Sequence, residues 1–289
     1  MKNSISKILL ITALVVSFNT QAQEDDDTTK SNIQTYTPSK LLDKGQWDVK
    51  FFNNLYTETK AKFDGVKFDK DRENYFTSTL DVFTGISDNN RLNIGLLLEY
   101  RSNTINGKSA TSVFSFADDL SSRNGLSSLA PAIKWQPIEG VGNFSIQSAF
   151  HIPIINNESE NNVFLDQTAY TFQNRFFYDY TLPSGNWQLF TELNTEYNFG
   201  DEASFANKTF VVAPGIFMSY FPSDKSTVLG FVQHSQRFGD FTQDYTALGF
   251  GGKYQLTQLL NLEILYSKFV RGNDTGLGQS FNIGLRALF

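Results

Sequence analysis

The feature that most constrains this chain is an alternation of apolar and polar side chains with a period of two residues. In the segment 186–199, Trp187 and Leu193 share one face of an extended strand, whereas Glu192 and Glu196 share the other. Successive side chains of a strand point to opposite faces, so the pattern predicts strands with one apolar side. We predict twelve such strands, each about 10 to 14 residues long, near the length of a tilted strand in a bilayer. They cover residues 46–56, 74–86, 91–103, 127–136, 143–154, 168–181, 186–199, 208–221, 226–237, 243–256, 260–270 and 279–289.

Composition restricts the class of protein further. Aromatic residues make up 15% of the chain, yet after residue 22 no apolar stretch is long enough for a membrane-spanning helix. A closed barrel can cross a bilayer without such a stretch, because pairing between strands satisfies its backbone polar groups. The net charge of −6 disfavours nucleic acid as a partner. We therefore predict an all-β, transmembrane, antiparallel up-and-down barrel of about 12 strands.

Connections between the predicted strands alternate between short and long. Those after even-numbered strands are short and rich in turn residues, as in 182–185 and 222–225. Those after odd-numbered strands include 57–73, 104–126 and 155–167, which are long and polar. Bacterial barrels have short periplasmic turns and longer external loops, so this alternation predicts that both termini are periplasmic. A soluble β-sandwich is the alternative, but it has no physical reason to alternate in this way.

The N-terminus predicts export. Residues 1–22 combine a basic start, an apolar run over 8–18 and a small residue, Ala22, in the order of a signal peptide. Cleavage there would remove Lys2 and Lys7 and no acidic residue, so the net charge would move from −6 to −8. The whole chain lacks Cys, so it needs no disulfide in an exported compartment.

Two further segments complete the predicted organisation. Residues 23–44 are polar and aperiodic, which predicts a flexible periplasmic leader before a barrel over 45–289. The final strand alternates up to Phe289, and a terminal aromatic of this kind resembles the sorting signal of bacterial outer-membrane barrels.

Charged side chains are expected to face the lumen, because a charge at the bilayer midplane costs about 2–4 kcal/mol in a barrel. The near balance of acids and bases on these faces favours pairing across the lumen over a filter for one sign of charge. An open pore stays possible as well, because twelve strands lie between about eight, which fill their interior, and about sixteen, which leave a channel. The lumen-facing candidates are Lys134, His151, Arg175, Asp179, Glu192, Glu196, Lys253, Glu263 and Arg286.

The same inventory disfavours an enzyme and a metal site. Neither His151 nor His234 has a Ser two residues away, where a strand would place a nucleophile on the same face. A lipase of the outer-membrane phospholipase type is therefore disfavoured, although a Ser on an adjacent strand stays open. Isolated His residues and the lack of Cys give no ligand spacing, so we predict no metal and no cofactor.

The long loops carry the apolar residues that a hydrophobic solute would need near the outer mouth. Phe63 and Phe68 belong to the first loop, and Phe114 and Phe116 belong to the second. The second loop could fold into the barrel as a constriction or lie outside as an interaction surface. The sequence does not choose between these two positions.

Two stretches resemble a known family. The turn at 83–95 has an aromatic-x-Gly-aliphatic-Ser-Asp pattern followed by Arg-Leu-x-aliphatic-Gly, and the run 125–134 reads Gly-Leu-x-x-Leu-x-Pro-x-x-Lys. Both resemble hairpins of the outer-membrane family associated with the meta-pathway of phenol degradation, although Ser127 and Ser128 stand where an Asp is common in it. The resemblance covers the first half of the barrel. It implies a porin-like barrel for small, including hydrophobic, molecules and carries no catalytic residue.

The sequence thus predicts a Gram-negative outer-membrane barrel with porin-like, passive passage of small molecules. The alternative is a closed structural or surface-recognition barrel without transport. The expected partners are outer-membrane lipid and the barrel export and insertion machinery, and the sequence does not specify the solute.

Overall fold

The structure, a computed structural model, describes residues 38–289, so the predicted signal peptide and residues 23–37 of the predicted leader lie outside the described part. Twelve long strands form an antiparallel sheet in which neighbours in sequence are neighbours in space. The strands are β1 Trp47–Phe63, β2 Val66–Gly85, β3 Leu92–Thr104, β4 Ser122–Trp135, β5 Phe144–Pro153, β6 Tyr170–Thr181, β7 Trp187–Phe199, β8 Thr209–Ser223, β9 Ser226–Gly239, β10 Gln243–Gln255, β11 Leu260–Asn273 and β12 Gln279–Leu288.

The sheet closes on itself through its first and last strands. β1 pairs antiparallel with β12, from Asp48 opposite Leu288 to Thr57 opposite Gln279. Closure leaves no free edge along these strands, so their backbone groups can pair within the wall. The predicted all-β barrel of twelve strands is confirmed.

Side chains on the outer surface are mainly apolar. Ile133, Phe250 and Ile283 are exposed, whereas Asn93 and Lys134, which point inward, are buried. A monomeric soluble protein rarely exposes a continuous belt of this kind, but a transmembrane barrel presents one to lipid.

The two ends of the barrel differ in their connections. One end, here called the turn end, carries the connections 86–91, 136–143, 182–186, 224–225 and 256–259. The other, the loop end, carries 64–65, 105–121, 154–169, 200–208, 240–242 and 274–278. The predicted alternation of short and long is therefore not strict, because 64–65 and 240–242 are also tight turns.

The predicted long loop over 57–73 is wrong. β1 continues to Phe63 and β2 begins at Val66, so a two-residue turn joins them. Asp64 and Gly65 both have positive φ angles, of 48° and 78°. Such angles at both central positions are typical of the type I′ hairpin turn, which Asp-Gly favours. The hairpin therefore continues as a two-stranded ribbon.

The loop end contains the remaining short elements. A 3₁₀ helix, Ala110–Ser115, lies within the connection 105–121, and Ser159–Glu160 pairs with Val163–Phe164 as a small hairpin. The pair Thr275–Gly276 extends the sheet beside β1. β4 begins at Ser122, earlier than the predicted start at residue 127.

Aromatic rings inside the barrel lie over glycines of the neighbouring strand. A Cβ atom added at Gly249 would lie 2.1 Å from Cζ of Phe231 and 2.6 Å from the carbonyl oxygen of Tyr266. One added at Gly284 would lie 2.3 Å from Cε1 of Phe52. These glycines let large rings fit within a narrow interior.

We expect Gly249→Ala to destabilise the refolded barrel by about 1–3 kcal/mol, because its methyl group would overlap a ring and a backbone carbonyl. Urea unfolding in detergent, followed by Trp fluorescence, measures this change. Gly230→Ala is the matched control, since the nearest atom to its added Cβ is 3.9 Å away. Equal stabilities for the two variants would contradict this account of the packing.

Candidate functional site: the barrel lumen

The interior of the barrel contains a cavity of about 600 Å³. This volume is within the range of roughly 300–1,000 Å³ that is usual for small-molecule sites. Its lining comes from strands around most of the barrel and from Pro38, which precedes β1. Charged side chains form one part of the wall and Phe side chains another, so the cavity is amphipathic.

Six of the nine lumen-facing candidates line this cavity: Lys134, Arg175, Glu192, Lys253, Glu263 and Arg286. The other three, His151, Asp179 and Glu196, lie an even number of residues from cavity-lining residues of their own strands and so share the inner face. Nε2 of His151 lies 3.4 Å from Oε1 of Gln173, and Oε1 of Glu196 accepts a hydrogen bond from Nε2 of the same Gln173.

Ion pairs run along the wall, between adjacent strands. The guanidinium of Arg286 on β12 contacts Asp48 on β1, with Nε 2.8 Å from Oδ1. Nε of Arg175 on β6 lies 2.7 Å from Oε1 of Glu192 on β7.

A third pair of the same kind joins β10 to β11, where Nζ of Lys253 lies 2.8 Å from Oε2 of Glu263. The charge balance suggested pairing across the lumen. These three pairs instead join adjacent strands. Adjacent strands are about 4.8 Å apart, so neighbouring side chains meet without crossing the interior. These pairs leave the cavity of about 600 Å³ in the interior.

A row of four Phe rings lies on the inner surface of the barrel across four adjacent strands, and the sequence did not predict it. Phe177 on β6, Phe190 on β7, Phe217 on β8 and Phe231 on β9 contact one another in order, with ring centroids 6.0, 5.4 and 5.2 Å apart. All four line the cavity. Phe177 and Phe190 stand at positions of their strands whose neighbours on the same face are polar or charged, and this is the signal that could have identified the row.

The segment before β1 enters the turn end of the barrel. The ammonium of Lys134 donates hydrogen bonds to the carbonyl oxygens of Pro38 and of Lys40, the second at 2.8 Å. The backbone N–H of Leu42 donates to Oδ1 of Asn93 at 3.3 Å. Leu41 and Leu42 are buried.

This packing corrects part of the predicted leader. Residues 38–44 belong to the folded body, because Leu42 packs with Phe83, Ala130 and Leu288 in one buried cluster. Gly85 lies directly against this segment, since an added Cβ would be 2.2 Å from the carbonyl oxygen of Asp43. The segment narrows the lumen from the turn end.

The connection 154–169 narrows the lumen from the loop end. Val163 and Leu165 within it are buried. Nδ2 of Asn103, on the inner face of β3, donates to the carbonyl oxygen of Phe164 at 2.7 Å. Nη1 of Arg123 donates to the carbonyl oxygen of Glu158 at 3.0 Å.

The guanidinium of Arg101 lies beside the connection 154–169. Nε of Arg101 is 2.5 Å from Glu99 and 3.3 Å from Oδ2 of Asp166 in the connection 154–169. Burial raises the pKa of the Asp166 carboxyl, and the nearby Arg101 guanidinium opposes this rise. The arrangement ties the connection to the inner face of β3.

The connection 105–121 lies against the outer surface of the barrel. Ser102 donates to the carbonyl oxygen of Val113 at 2.7 Å, and Phe114 packs on Phe76 with centroids 5.2 Å apart. Phe76 faces outward, because cavity-lining Asp81 is an odd number of residues away. Of the two positions left open by the sequence, the structure places this connection outside.

The four loop Phe candidates do not come together at the mouth. Phe63 and Phe68 contact each other at the exposed tip of the β1–β2 ribbon, with centroids 6.1 Å apart. Phe114 lies on the outer surface, and Phe116 packs on Tyr100 with centroids 5.8 Å apart. None of the four lines the described cavity.

No helix among residues 38–289 is long and apolar enough to cross a membrane. In the same residues no group of three or more His, Asp or Glu is arranged to hold a metal ion. Nδ1 of His234 lies 3.0 Å from Oγ1 of Thr246, which is directly opposite on β10.

Comparisons with solved structures support the fold. An outer-membrane channel from Pseudomonas putida F1 superposes with a TM-score of 0.70 at 10% identity, covering 92% of this chain and 100% of its own. The β domain of a Bordetella autotransporter gives a TM-score of 0.52 at 13% identity, covering 84% and 98%. The comparison with curated proteins gave no match.

A family model also matches the sequence. It is described by the words MetA-pathway of phenol degradation and aligns with residues 89–286, which is more than half of the chain. The match includes most of the barrel strands and the run 125–134 that carried the resemblance. The chain therefore belongs to the outer-membrane barrel family of the MetA-pathway of phenol degradation.

Proposed function

We propose that this protein provides a passive, non-enzymatic route for small molecules across the bacterial outer membrane. The observation that carries this proposal is the arrangement of charge in the lumen. The ion pairs of Asp48, Glu192 and Glu263 follow the wall and leave a central cavity of about 600 Å³. A barrel that served only as a brace would gain from filling this space, because empty or wet interior volume forgoes packing contacts.

The family and the fold support the same proposal. The family name refers to the degradation of phenol, a small aromatic molecule, and the similar protein from Pseudomonas putida F1 is described as a channel. The amphipathic lining suits small solutes that have both apolar and polar parts.

The proposed setting is the outer membrane, with the turn end in the periplasm and the loop end outside. Short turns at one end and longer connections at the other support this orientation. The proposed maturation uses the signal peptide over 1–22 and the export and insertion machinery of barrels. Lipid is the proposed partner of the apolar outer surface.

Removal of two lumen carboxylates should shift ion preference toward anions. In Glu192→Ala with Glu196→Ala, Arg175 loses the carboxylate 2.7 Å from its Nε and presents its charge to the lumen. Single-channel recordings of the refolded protein in a salt gradient measure the shift as a change in reversal potential. Glu139→Ala is the control, because the side chain of Glu139 is 95% exposed at the turn end.

Steady current with the expected shift supports an open route through this lumen. A correctly folded barrel without current, in wild type and variant alike, would contradict passive ion passage and favour the closed structural or recognition barrel.

Loosening the segment before β1 should raise conductance. Lys134→Met removes the donor to the carbonyl oxygens of Pro38 and Lys40, and hydrogen bonds to charged groups contribute roughly 1.5–3 kcal/mol each. We expect a larger mean single-channel current and more frequent transitions between current levels. Lys225→Met, at an exposed turn, is the matched control. Unchanged current in Lys134→Met would show that this contact does not limit passage.

A further inference from the structure

We infer that the lumen contains a binding site for a small aromatic molecule that carries a carboxylate. The inference rests on the proposed function, because it names a class of solute for the same cavity. Two neighbouring features of the wall carry it: the row of four Phe rings and a basic row beside it. Each feature matches one half of such a molecule.

The Phe row offers a surface for an aromatic ring. Phe190, Phe217 and Phe231 lie directly opposite one another on successive strands, and Phe177 stacks on Phe190 with an interplanar angle of 23°. Aromatic rings in contact stabilise one another beyond the effect of buried area alone. A planar ring that enters the cavity can extend this row without displacing any ion pair.

The basic row runs across β4, β5 and β6. Lys134 lies directly opposite Gln147, and Gln147 lies directly opposite Arg175, so the three side chains share one level of the inner face. All three line the cavity. Nζ of Lys134 is 5.6 Å and Cζ of Arg175 is 5.1 Å from the centroid of the Phe177 ring, which joins the two rows.

The basic row contains a buried hydrogen-bond donor without a partner in the described part of the chain. Gln147 is 4% exposed, and its Nε2 has no partner among residues 38–289. Within the same residues, no carboxylate oxygen lies within 4.0 Å of the Lys134 ammonium. The ammonium has three N–H donors, and two of them bind the carbonyl oxygens of Pro38 and Lys40. An unpartnered buried donor is costly, and a carboxylate would satisfy it.

The charge of the lining also favours an anion. Five basic residues and three acidic residues line the cavity, and Glu192 and Glu263 are each paired with a base. Asp48, which is not part of the lining, contacts both Lys50 and Arg286, so the five bases outnumber the four acids by one. The third acid, Asp81, lies directly opposite Lys50 on β1. A solute carboxylate at Gln147 is therefore flanked by bases on both adjacent strands.

The spacing of the two rows fits one small molecule. Arg175 and Phe177 are two residues apart on the same strand face, a separation of roughly 7 Å. A single benzene ring with an attached carboxylate spans a comparable length. One molecule can thus place its ring on the Phe row and its carboxylate at Gln147.

Equilibrium binding to the detergent-refolded protein tests this site without requiring an open pore. Titration calorimetry with benzoate, benzyl alcohol and cyclohexanecarboxylate separates recognition of charge from recognition of the ring. We expect benzoate to bind more tightly than either of the other two probes. Conductance of the same preparation is recorded without any probe, so a failure of this site and a failure of the proposed function can be told apart.

Two substitutions with matched controls locate the site. Gln147→Glu places a carboxylate between Lys134 and Arg175, and we expect it to weaken benzoate binding by about tenfold or more while leaving benzyl alcohol unaffected. Gln188→Glu adds the same charge to β7, six residues from Asn194, which lies directly opposite Arg175. This variant should leave benzoate binding unchanged. Phe190→Leu should weaken benzoate binding, whereas Phe250→Leu on the outer surface should not.

Three results would overturn the inference: no detectable benzoate binding to a folded barrel, equal binding of benzoate and cyclohexanecarboxylate, or equal effects of Gln147→Glu and Gln188→Glu. The first rejects the site, the second rejects recognition of the ring, and the third reduces the effect to the overall charge of the lumen.

Discussion

The whole structure depends on one constraint, which is that every backbone polar group in a lipid bilayer needs a hydrogen-bond partner within the protein. Strands meet it only when the sheet closes, and the pairing of β1 with β12 closes this sheet. Closure divides each strand into a lipid face and a lumen face with a period of two residues. The positions of Ile133 outside and Lys134 inside follow directly from that division.

Three ion pairs in the lumen join neighbouring strands and do not cross to the opposite wall. Arg175 reaches Glu192 and Lys253 reaches Glu263 across a single strand spacing. A balanced set of charges on the inner faces is compatible with pairing across the lumen or along the wall, so composition could not decide between them. The wall arrangement leaves room for the Phe row and for the segment at Pro38 that enters the turn end.

Local chemistry explains both a success and a failure of the sequence analysis. The twelve predicted segments are strands in the structure. Lipid on one face and water or charge on the other fix which side chains point inward, and so they fix the register of each strand. The prediction of a long loop over 57–73 was wrong because it gave more weight to polar composition than to turn chemistry. Asp64-Gly65 between alternating apolar residues is a strong signal for a type I′ hairpin, and it predicts the observed ribbon.

The sequence by itself determined the class of fold and the family, because a period of two and a turn motif are local properties of the chain. Only the tertiary structure decided which residues meet. Residues 38–44 look like a solvated leader until Lys134, far along the chain, binds their carbonyls. The connection 154–169 turns inward and 105–121 turns outward because Asn103 and Ser102, adjacent in β3, face opposite sides of the wall. Contacts of this kind depend on barrel closure and strand register, which no local pattern encodes.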